Sequence, residues 1–272
     1  MTRTFDRTTE RYFALLEALT QAVIATDTAG TIIHWGKAAE KLYGWRAAEV
    51  IGKDILEVTP ADVSREEGSR IMTLLMSGEA WSGEFSVRGR TGAPFLASVT
   101  DVPLVDGGGD VVGVIGVSAP SQKATDLRSL LKRFAKACKK VWPRQFAFDT
   151  AVPRNARLSA SEPHLVQLLS VLLLQYADAL DRKMVVEFTA RTAENSPFAE
   201  FGLVGAATPA VYIRLDRKEE RPVFSVLRNI PDPVRPRQYA PALVRMVGGL
   251  LIAGTAPERT TAMHLFLPMQ SA

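Results

Sequence analysis

Three histidines and one cysteine are the side chains best suited to nucleophilic chemistry in this chain of 272 residues. Phosphoryl transfer through histidine needs an imidazole on an exposed helix with a neighbouring acid. His34 and His264 fall in predicted strands, and His164 follows Pro163 at the start of a long apolar helix. The histidines therefore offer no candidate phosphoryl acceptor. We expect His34 and His264 to be structural residues, with a ligand contact as the alternative for His34.

The only cysteine, Cys138, lies on a basic segment with an apolar repeat. Between Ser121 and Arg144 there are eight lysines or arginines and one acid. The apolar residues follow one another at spacings of four, three, four and three, the pattern of a coiled-coil seam. A dimerising linker helix over residues 120–142 and a single amphipathic helix packed on its own domain both fit. The seam consists of Leu127, Leu131, Phe134, Cys138 and Val141.

The same segment limits the expected partners. Its positive charge fits a solvated helix face or an acidic partner, and no nucleic-acid recognition motif accompanies it. Nucleic acid is therefore not an expected partner. Cys138 is either a crosslink between two chains under oxidation or a buried free thiol.

The first half of the chain predicts an α+β fold, a sheet with helices on one face. A helix over about 9–19 either joins the dimer interface or caps the sheet. Strands at 22–27 and 31–35 are joined by a turn in which Gly30 is free to adopt positive φ. A longer helix over about 64–77 precedes strands at 81–90, 94–105 and 111–117, whose glycine-containing connections are typical of antiparallel pairs.

This order of elements resembles the PAS sensory family over residues 21–119. The resemblance is carried by IIHWGKAAEKLYGW, EVIGKDIL, the GEF run and VVGVIGVS. It implies a five-stranded antiparallel sheet that senses a ligand, redox state or light and passes the signal through flanking helices. Gly36 departs from the pattern, since many relatives carry Asn there.

The resemblance also implies a ligand pocket, although the same side chains could simply fill the core. Haem-binding relatives use a histidine of the long helix, and flavin-adduct relatives use a cysteine of the early helices; this chain has neither there. The cofactor is therefore unknown, with a noncovalent flavin or a small apolar ligand as alternatives. The candidate pocket residues are Trp35, Trp45, Met72, Leu75, Trp81, Phe85 and Val99.

The second half, 143–272, predicts an α/β domain with long helices at 162–180 and 239–247. Strands are expected at 145–149, 157–159, 184–192, 210–215, 223–227, 250–254 and 261–268. Three stretches, SASEPHLVQLLSVLLLQYADAL, VYIRL and ALVRMVGGLLIAGTAPERTTAMHLFLP, resemble the ATP-binding domain of sensor histidine kinases. That resemblance implies an α/β sandwich.

The nucleotide-site positions depart from those of active relatives. Gln175, followed by Asp178, stands where the family carries the Asn that coordinates Mg²⁺, and Mg²⁺ demands near-ideal octahedral geometry. The family's Asp-x-Gly-x-Gly motif and second glycine-rich loop have no counterpart, so the backbone cannot close on phosphates. We expect a catalytically degenerate domain for which ATP binding is doubtful. A divergent kinase that binds ATP through Gln175 and Asp178 is the alternative.

Composition fits a protein of two small domains after an N-terminal helix over 1–20. The chain is 47% hydrophobic with a net charge of +4, and no apolar run reaches the ~18 residues of a membrane span. The N-terminus lacks the apolar core of a signal peptide, and one cysteine excludes an internal disulfide framework, so we expect a reducing cytoplasm.

The sequence thus predicts a cytosolic signal-transduction protein, a PAS sensor coupled to a pseudo-histidine-kinase domain that acts through protein–protein contacts. The expected partners are a second copy of the chain, a response regulator or histidine kinase, and a small-molecule PAS ligand. An active kinase and a flavin-binding redox or light sensor are the alternatives.

Overall fold

The computed structural model of the protein describes residues 7–61, 64–106, 110–122, 124–143, 146–152, 156–174, 185–193, 210–218, 240–247, 250–255 and 261–268. These residues form two compact units, each with its own five-stranded sheet. The first unit takes the described residues up to 122 together with 161–174 and 240–243. The other described residues belong to the second unit.

In chain order, the helices are α1 (Arg7–Ala18), α2 (Lys37–Tyr43), α3 (Ala47–Val50), α4 (Ile55–Val58), α5 (Arg65–Met76), α6 (Leu127–Val141), α7 (Glu162–Leu174) and α8 (Ala240–Met246). The strands of the first unit are β1 (Ala22–Asp27), β2 (Ile32–Trp35), β3 (Trp81–Arg88), β4 (Pro94–Val105) and β5 (Val111–Pro120). Those of the second are β6 (Thr125–Asp126), β7 (Phe146–Ala151), β8 (Arg157–Leu158), β9 (Val185–Ala193), β10 (Ala210–Lys218), β11 (Leu250–Thr255) and β12 (Thr261–Pro268).

The sheet of the first unit has the strand order β2-β1-β5-β4-β3, and every pair is antiparallel. The predicted five-stranded antiparallel sheet is therefore confirmed. The β1–β2 turn also forms as expected: Gly30 has a φ of +82°, and the Asp27 carboxylate accepts hydrogen bonds from the backbone N–H groups of Ala29 and Thr31, both at 2.9 Å.

Helices α2 to α5 contribute to one core against the sheet. Helix α2 ends at Gly44, which has a φ of +76°, a conformation that favours glycine at a helix C-terminus. Helix α4 begins after Asp54, whose carboxylate accepts a hydrogen bond from the backbone N–H of Leu56 at 2.9 Å. These short helices line up apolar side chains against the strands and leave a cavity between the two layers.

The opposite face of this sheet is also covered, by α1, for which a cap over the sheet was one of the two expectations, and by α7, which the sequence did not predict to lie there. Helix α7 packs against β4 and β5, and α1 packs against α7 and β1. The covered face is at most 1% exposed at Val23, Ala25, Thr100, Val102, Ile115 and Val117. The expectation of helices on one face is therefore incomplete, because α7, assigned from the sequence to residues 143–272, lies on the first sheet. A helix that is apolar all round must be buried, but its pattern does not say against which sheet.

Polar contacts fix α7 on the sheet. The Tyr12 hydroxyl of α1 donates to Oε1 of Gln167, whose Nε2 donates to the carbonyl oxygens of Thr100 and Ile115 at 3.4 and 3.2 Å. Both residues are buried, and a buried amide needs partners for its donors and its acceptor. Gln167 of α7 is therefore hydrogen-bonded to α1, β4 and β5 at the same time.

The second unit contains a mixed sheet in the order β11-β12-β10-β9-β7. Strand β7 is parallel to β9, and the other pairs are antiparallel. The predicted strand at 223–227 and the predicted end of the long helix at 175–180 lie outside the described residues. The α/β sandwich and the domain boundaries at 20, 119 and 142 remain predictions.

The predicted coiled-coil seam belongs to α6, which packs against β7. Leu127, Leu131, Phe134 and Cys138 are buried in a single copy of the chain, and Val141 is half-buried. The opposite side of α6 carries exposed lysines, so the helix is amphipathic as expected. This burial favours the alternative in which α6 packs on its own chain, and the dimer remains a prediction.

The Tyr12–Gln167 contact is testable by a double-mutant cycle. Tyr12→Phe should lower the free energy of unfolding by about 1 kcal/mol, and Gln167→Leu by about 2 kcal/mol, because the leucine leaves the buried phenol without its acceptor. The double variant should lose about 1 kcal/mol less than the two single losses combined. Additive losses, measured by urea unfolding, would show that the two side chains do not interact.

Candidate functional site

A cavity of about 90 Å³ lies between the sheet and helices α2 to α5. Its walls come from α2, α4, α5 and the segment that joins α4 to α5, and from β1, β3, β4 and β5. Because side chains alternate along a strand, Val99 and Asp101 of β4 and Val114 and Gly116 of β5 face the cavity. Thr100 lies between two of them and is buried on the other face.

Five of the seven residues predicted to line a pocket do line this cavity. They are Met72, Leu75, Trp81, Phe85 and Val99. Trp35 and Trp45 are not part of its wall: the indole N–H of Trp35 donates to the carbonyl oxygen of Trp45 at 3.2 Å. The Trp45 ring instead lies beneath Lys53 Nζ and the Arg90 guanidinium, 5.6 and 5.8 Å from its centroid.

Asp101 is the most polar residue of this largely apolar wall. It lies beside Trp81 of β3 and Gly116 of β5 in the strand register. The residue is half-buried, and no hydrogen-bond partner or ion pair is present for its carboxyl group among the described residues. Burial raises the pKa of Asp101 to about 7, so the carboxyl changes its charge near neutral pH.

Gly116 provides the space that the Asp101 carboxyl occupies. A Cβ atom at position 116 would lie 2.4 Å from Oδ1 of Asp101, too close for any carbon–oxygen contact. Any larger residue would force the carboxyl to move. The pair Asp101 and Gly116 therefore sets the shape of this end of the cavity.

Four hydroxyl groups, those of Thr26, Tyr43, Thr59 and Ser118, complete the polar part of the wall, and that of Thr59 donates to the carbonyl oxygen of Ile55 at 3.2 Å. Thr26 is 4% exposed, and its Oγ1 has no hydrogen-bond partner among the described residues. The hydroxyls of Tyr43 and Ser118 are 3.0 Å apart and hydrogen-bonded, and burial raises the pKa of Tyr43 to about 12. A buried hydroxyl without a partner costs free energy, so Thr26 is a group that a ligand can satisfy.

A second polar row lies on the other side of the sheet, beneath α7. Nε2 of His164 donates to the carbonyl oxygen of Leu243 at 2.7 Å, so Nδ1 accepts from the Ser82 hydroxyl at 2.8 Å. The Ser82 hydroxyl is 2.7 Å from that of Thr100. Burial lowers the pKa of His164, and its bond to Leu243 acts in the opposite direction. His164 is thus a neutral histidine that anchors α7.

Neither His34 nor Cys138 is among the residues that line the cavity. His34 Nε2 is 3.0 Å from Oε1 of Glu17; burial lowers the pKa of His34, and the Glu17 carboxylate raises it. Burial raises the pKa of the Cys138 thiol. His264 pairs with Arg214 and Ile252 through the backbone of β12. Gln175 and Asp178 lie outside the described residues.

A match to a family model supports the fold of the first unit. The family model described as PAS fold matches residues 10–118. The PAS domain of a protein from Colwellia psychrerythraea is 24% identical, with a TM-score of 0.38, and covers 43% of this chain and 99% of its own. No curated protein matches the chain in sequence.

Two other solved structures are similar at lower identity. The blue-light activated histidine kinase of Erythrobacter litoralis is 12% identical, covers 92% of this chain and 95% of its own, and has a TM-score of 0.43. The quorum-sensing receptor PAS domain of Cronobacter turicensis, in complex with BDSF, is 15% identical, covers 38% and 95%, and has a TM-score of 0.33.

The family match and the antiparallel sheet identify residues 10–118 as a PAS domain. The five-stranded antiparallel sheet and the helices on its cavity face agree with what the resemblance implied for this half of the chain. Within the described residues, no helix combines the length and apolar composition needed to cross a membrane.

Asp101, Thr26 and Gly116 were not among the pocket residues predicted from the sequence. Alternation along the strand at 94–105 was available as a signal, because it places Asp101 on the same face as Val99. The register that sets Asp101 beside Gly116 joins two strands, and no pattern within either strand reveals it.

The unpartnered carboxyl of Asp101 predicts a pH dependence of stability. A carboxyl whose folded pKa of about 7 exceeds its unfolded value of ~3.9 favours folding when protonated. Stability should therefore fall by about 1 kcal/mol per pH unit as pH rises from 5 to 7, then level off. Asp101→Asn should remove this slope while leaving the opposite contributions of His34 and His164 unchanged.

Urea unfolding of both proteins between pH 4.5 and 8 measures this difference. The Asn variant should be the more stable protein at pH 8. Parallel stability curves for the two proteins would contradict a raised pKa at Asp101.

Proposed function

We propose that this chain is a signal-transduction protein whose PAS cavity binds a small molecule and whose helix α7 responds to that binding. One observation supports the link. The peptide group between Thr100 and Asp101 places a cavity side chain on one face of the sheet, and its carbonyl oxygen accepts a hydrogen bond from Gln167 of α7 on the other. The carbonyl oxygen of Ile115, in the peptide group that precedes the cavity-lining Gly116, accepts a second hydrogen bond from Gln167.

The coupling follows from the stiffness of paired strands. A ligand that moves Asp101 or the backbone at Gly116 also shifts the two carbonyl groups that hold Gln167. Because interiors are close-packed, such shifts transmit to neighbouring elements rather than dissipating. Two arrangements of α7 on the sheet would then be populated differently with and without ligand.

The cavity volume favours a small ligand over a flavin. Pockets for drug-sized ligands and cofactors have volumes of roughly 300–1,000 Å³. The cavity of about 90 Å³ is far below that range. A ligand with a few non-hydrogen atoms is therefore the better match to this arrangement of side chains.

For residues 143–272, we propose a degenerate histidine-kinase-like domain that acts through protein–protein contacts in a two-component-type pathway of the cytoplasm. The support is the sequence resemblance together with the missing glycine motifs. A response regulator or histidine kinase is the proposed partner, and the protein is proposed to work as a homodimer. The alternative is an active kinase that binds ATP through Gln175 and Asp178.

Hydrogen exchange tests whether the cavity communicates with α7. Gly116→Ala should displace the Asp101 carboxyl and raise the exchange rates of α7 amides about tenfold, which corresponds to a loss of about 1.4 kcal/mol of local stability. Gly68→Ala is the matched control, because Gly68 lines the same cavity from α5, where an added Cβ would meet only side chains.

The control should leave exchange in α7 unchanged within about twofold and should gain helix propensity of about 1 kcal/mol. Equal effects of the two variants on α7 would argue against transmission through β4 and β5. Unchanged exchange in α7, with faster exchange confined to β4 and β5, would contradict the proposed function outright.

Calorimetric titration with Mg²⁺ and ATP tests the proposal for the second half. The degenerate site should give no saturable heat at micromolar protein, because the glycine motifs that bring backbone to phosphate are missing. Micromolar binding that Gln175→Ala abolishes would replace this proposal with the active-kinase alternative.

A further inference from the structure

The cavity combines an apolar wall with two polar side chains that have no partner. Asp101 and Thr26 both line it, and neither the Asp101 carboxyl nor the Thr26 hydroxyl is hydrogen-bonded among the described residues. Buried polar groups are nearly always satisfied, so the buried Thr26 hydroxyl and, in the same wall, a half-buried carboxyl without a counter-charge point to a ligand in this cavity. The hydrogen-bonding groups of Asp101 and Thr26 indicate which functional group the ligand has.

We propose that the cavity binds a small alkyl or aryl amine whose ammonium group donates hydrogen bonds to the Asp101 carboxylate and the Thr26 hydroxyl. The inference rests on the proposed sensing role of this cavity and adds the chemical class of the ligand. The apolar body of the amine lies against Met72, Leu75 and Phe85.

The ammonium group matches what the cavity lacks. An ionised carboxylate only accepts hydrogen bonds, and a threonine hydroxyl can accept as well as donate, whereas an ammonium group has three donors. The residues that line the cavity include no lysine, arginine or histidine. A cationic ligand therefore supplies the counter-charge that the described wall does not, and a buried carboxylate is costly without one.

Other head groups fit less well. A carboxylate ligand would place a second negative charge beside Asp101, which is unfavourable in an apolar site. An alcohol can donate one hydrogen bond to Asp101 and accept one from Thr26, but it brings no charge to offset that of the carboxylate. Of the three head groups, only the ammonium also supplies the counter-charge that the cavity lining lacks.

The volume sets the size of the ligand. An apolar cavity of about 150 Å³ takes up benzene. The cavity of about 90 Å³ therefore suits an amine of about five non-hydrogen atoms, and larger amines require the Met72 side chain to move. A four-carbon primary amine is a suitable probe.

Binding should depend on pH in a defined direction. The amine is protonated throughout the neutral range, as a lysine is. The carboxyl of Asp101 becomes ionised as the pH rises through its pKa of about 7, so affinity should increase about tenfold between pH 6 and 8. Tyr43 is the other titratable residue of the lining, and its pKa of about 12 keeps it neutral over this range.

Nuclear magnetic resonance titration of the full chain with n-butylamine, 1-butanol and butyrate tests the proposal. The amide signals of Thr26, Asp101 and Gly116 and the indole signal of Trp81 report binding. n-Butylamine should bind at least about tenfold more tightly than 1-butanol at pH 8, as expected for a charge-assisted hydrogen bond. Butyrate should not bind.

Two variants separate the head-group contacts from simple filling of the cavity. Asp101→Asn, which keeps the shape of the side chain, should weaken n-butylamine about tenfold and abolish its pH dependence while leaving 1-butanol unchanged. Thr26→Val should weaken the amine about fivefold. Urea unfolding of the Asn variant at pH 8 checks that it is folded.

The titrations test the amine class of the ligand, and the exchange of α7 tests the proposed coupling. Equal affinities for amine and alcohol, or an amine affinity unchanged by Asp101→Asn, would overturn the amine class and leave a sensing cavity in place. Failure of all three probes to bind would also overturn the inference. The exchange of α7 in Gly116→Ala then decides separately whether the cavity and α7 are coupled.

Discussion

The antiparallel pairing of β4 with β5 is the interaction on which the rest of the first unit depends. These two strands lie at the centre of the PAS sheet between β1 and β3, and both of their faces are covered. Their register sets Asp101 beside Gly116, which leaves room for the carboxyl group. The same strands present Thr100 and Ile115 to α7, so one ladder of hydrogen bonds determines both the cavity and the surface on which α7 lies.

The cavity lowers the free energy of unfolding of the first unit. Close packing would fill it with apolar side chains, and a buried carboxyl with no partner disfavours folding above its raised pKa. Thr26 adds a buried hydroxyl without a partner. Deviations of this kind from a well-satisfied core are typical of binding sites, where the missing interactions come from a ligand.

The seam residues of α6 are buried within a single chain, and this changes how the apolar repeat is interpreted. A seam at spacings of four and three is compatible with a partner helix or with the chain's own sheet, because both present an apolar surface. Leu127, Leu131, Phe134 and Cys138 are buried without a second copy. The exposed lysines on the opposite side of α6 are the surface that the helix leaves to solvent or to an acidic partner.

The sequence by itself determined the local elements of the PAS domain and their order. Turn residues such as Gly30, the glycine after α2 and the alternation along the strands act within a few residues, so the pattern alone predicts them. Five of the seven expected pocket residues also line the cavity, since they sit on the predicted inner faces.

Only the tertiary structure decided what those elements contact. The apolar sequence of α7 required burial but did not distinguish the PAS sheet from a second domain, and Gln167 and His164 gained their roles only through strands far away in the chain. Asp101 became notable for the same reason, because its lack of a partner depends on every element around the cavity. Local periodicity is encoded in neighbouring residues, whereas register and the choice of packing surface depend on contacts between distant ones.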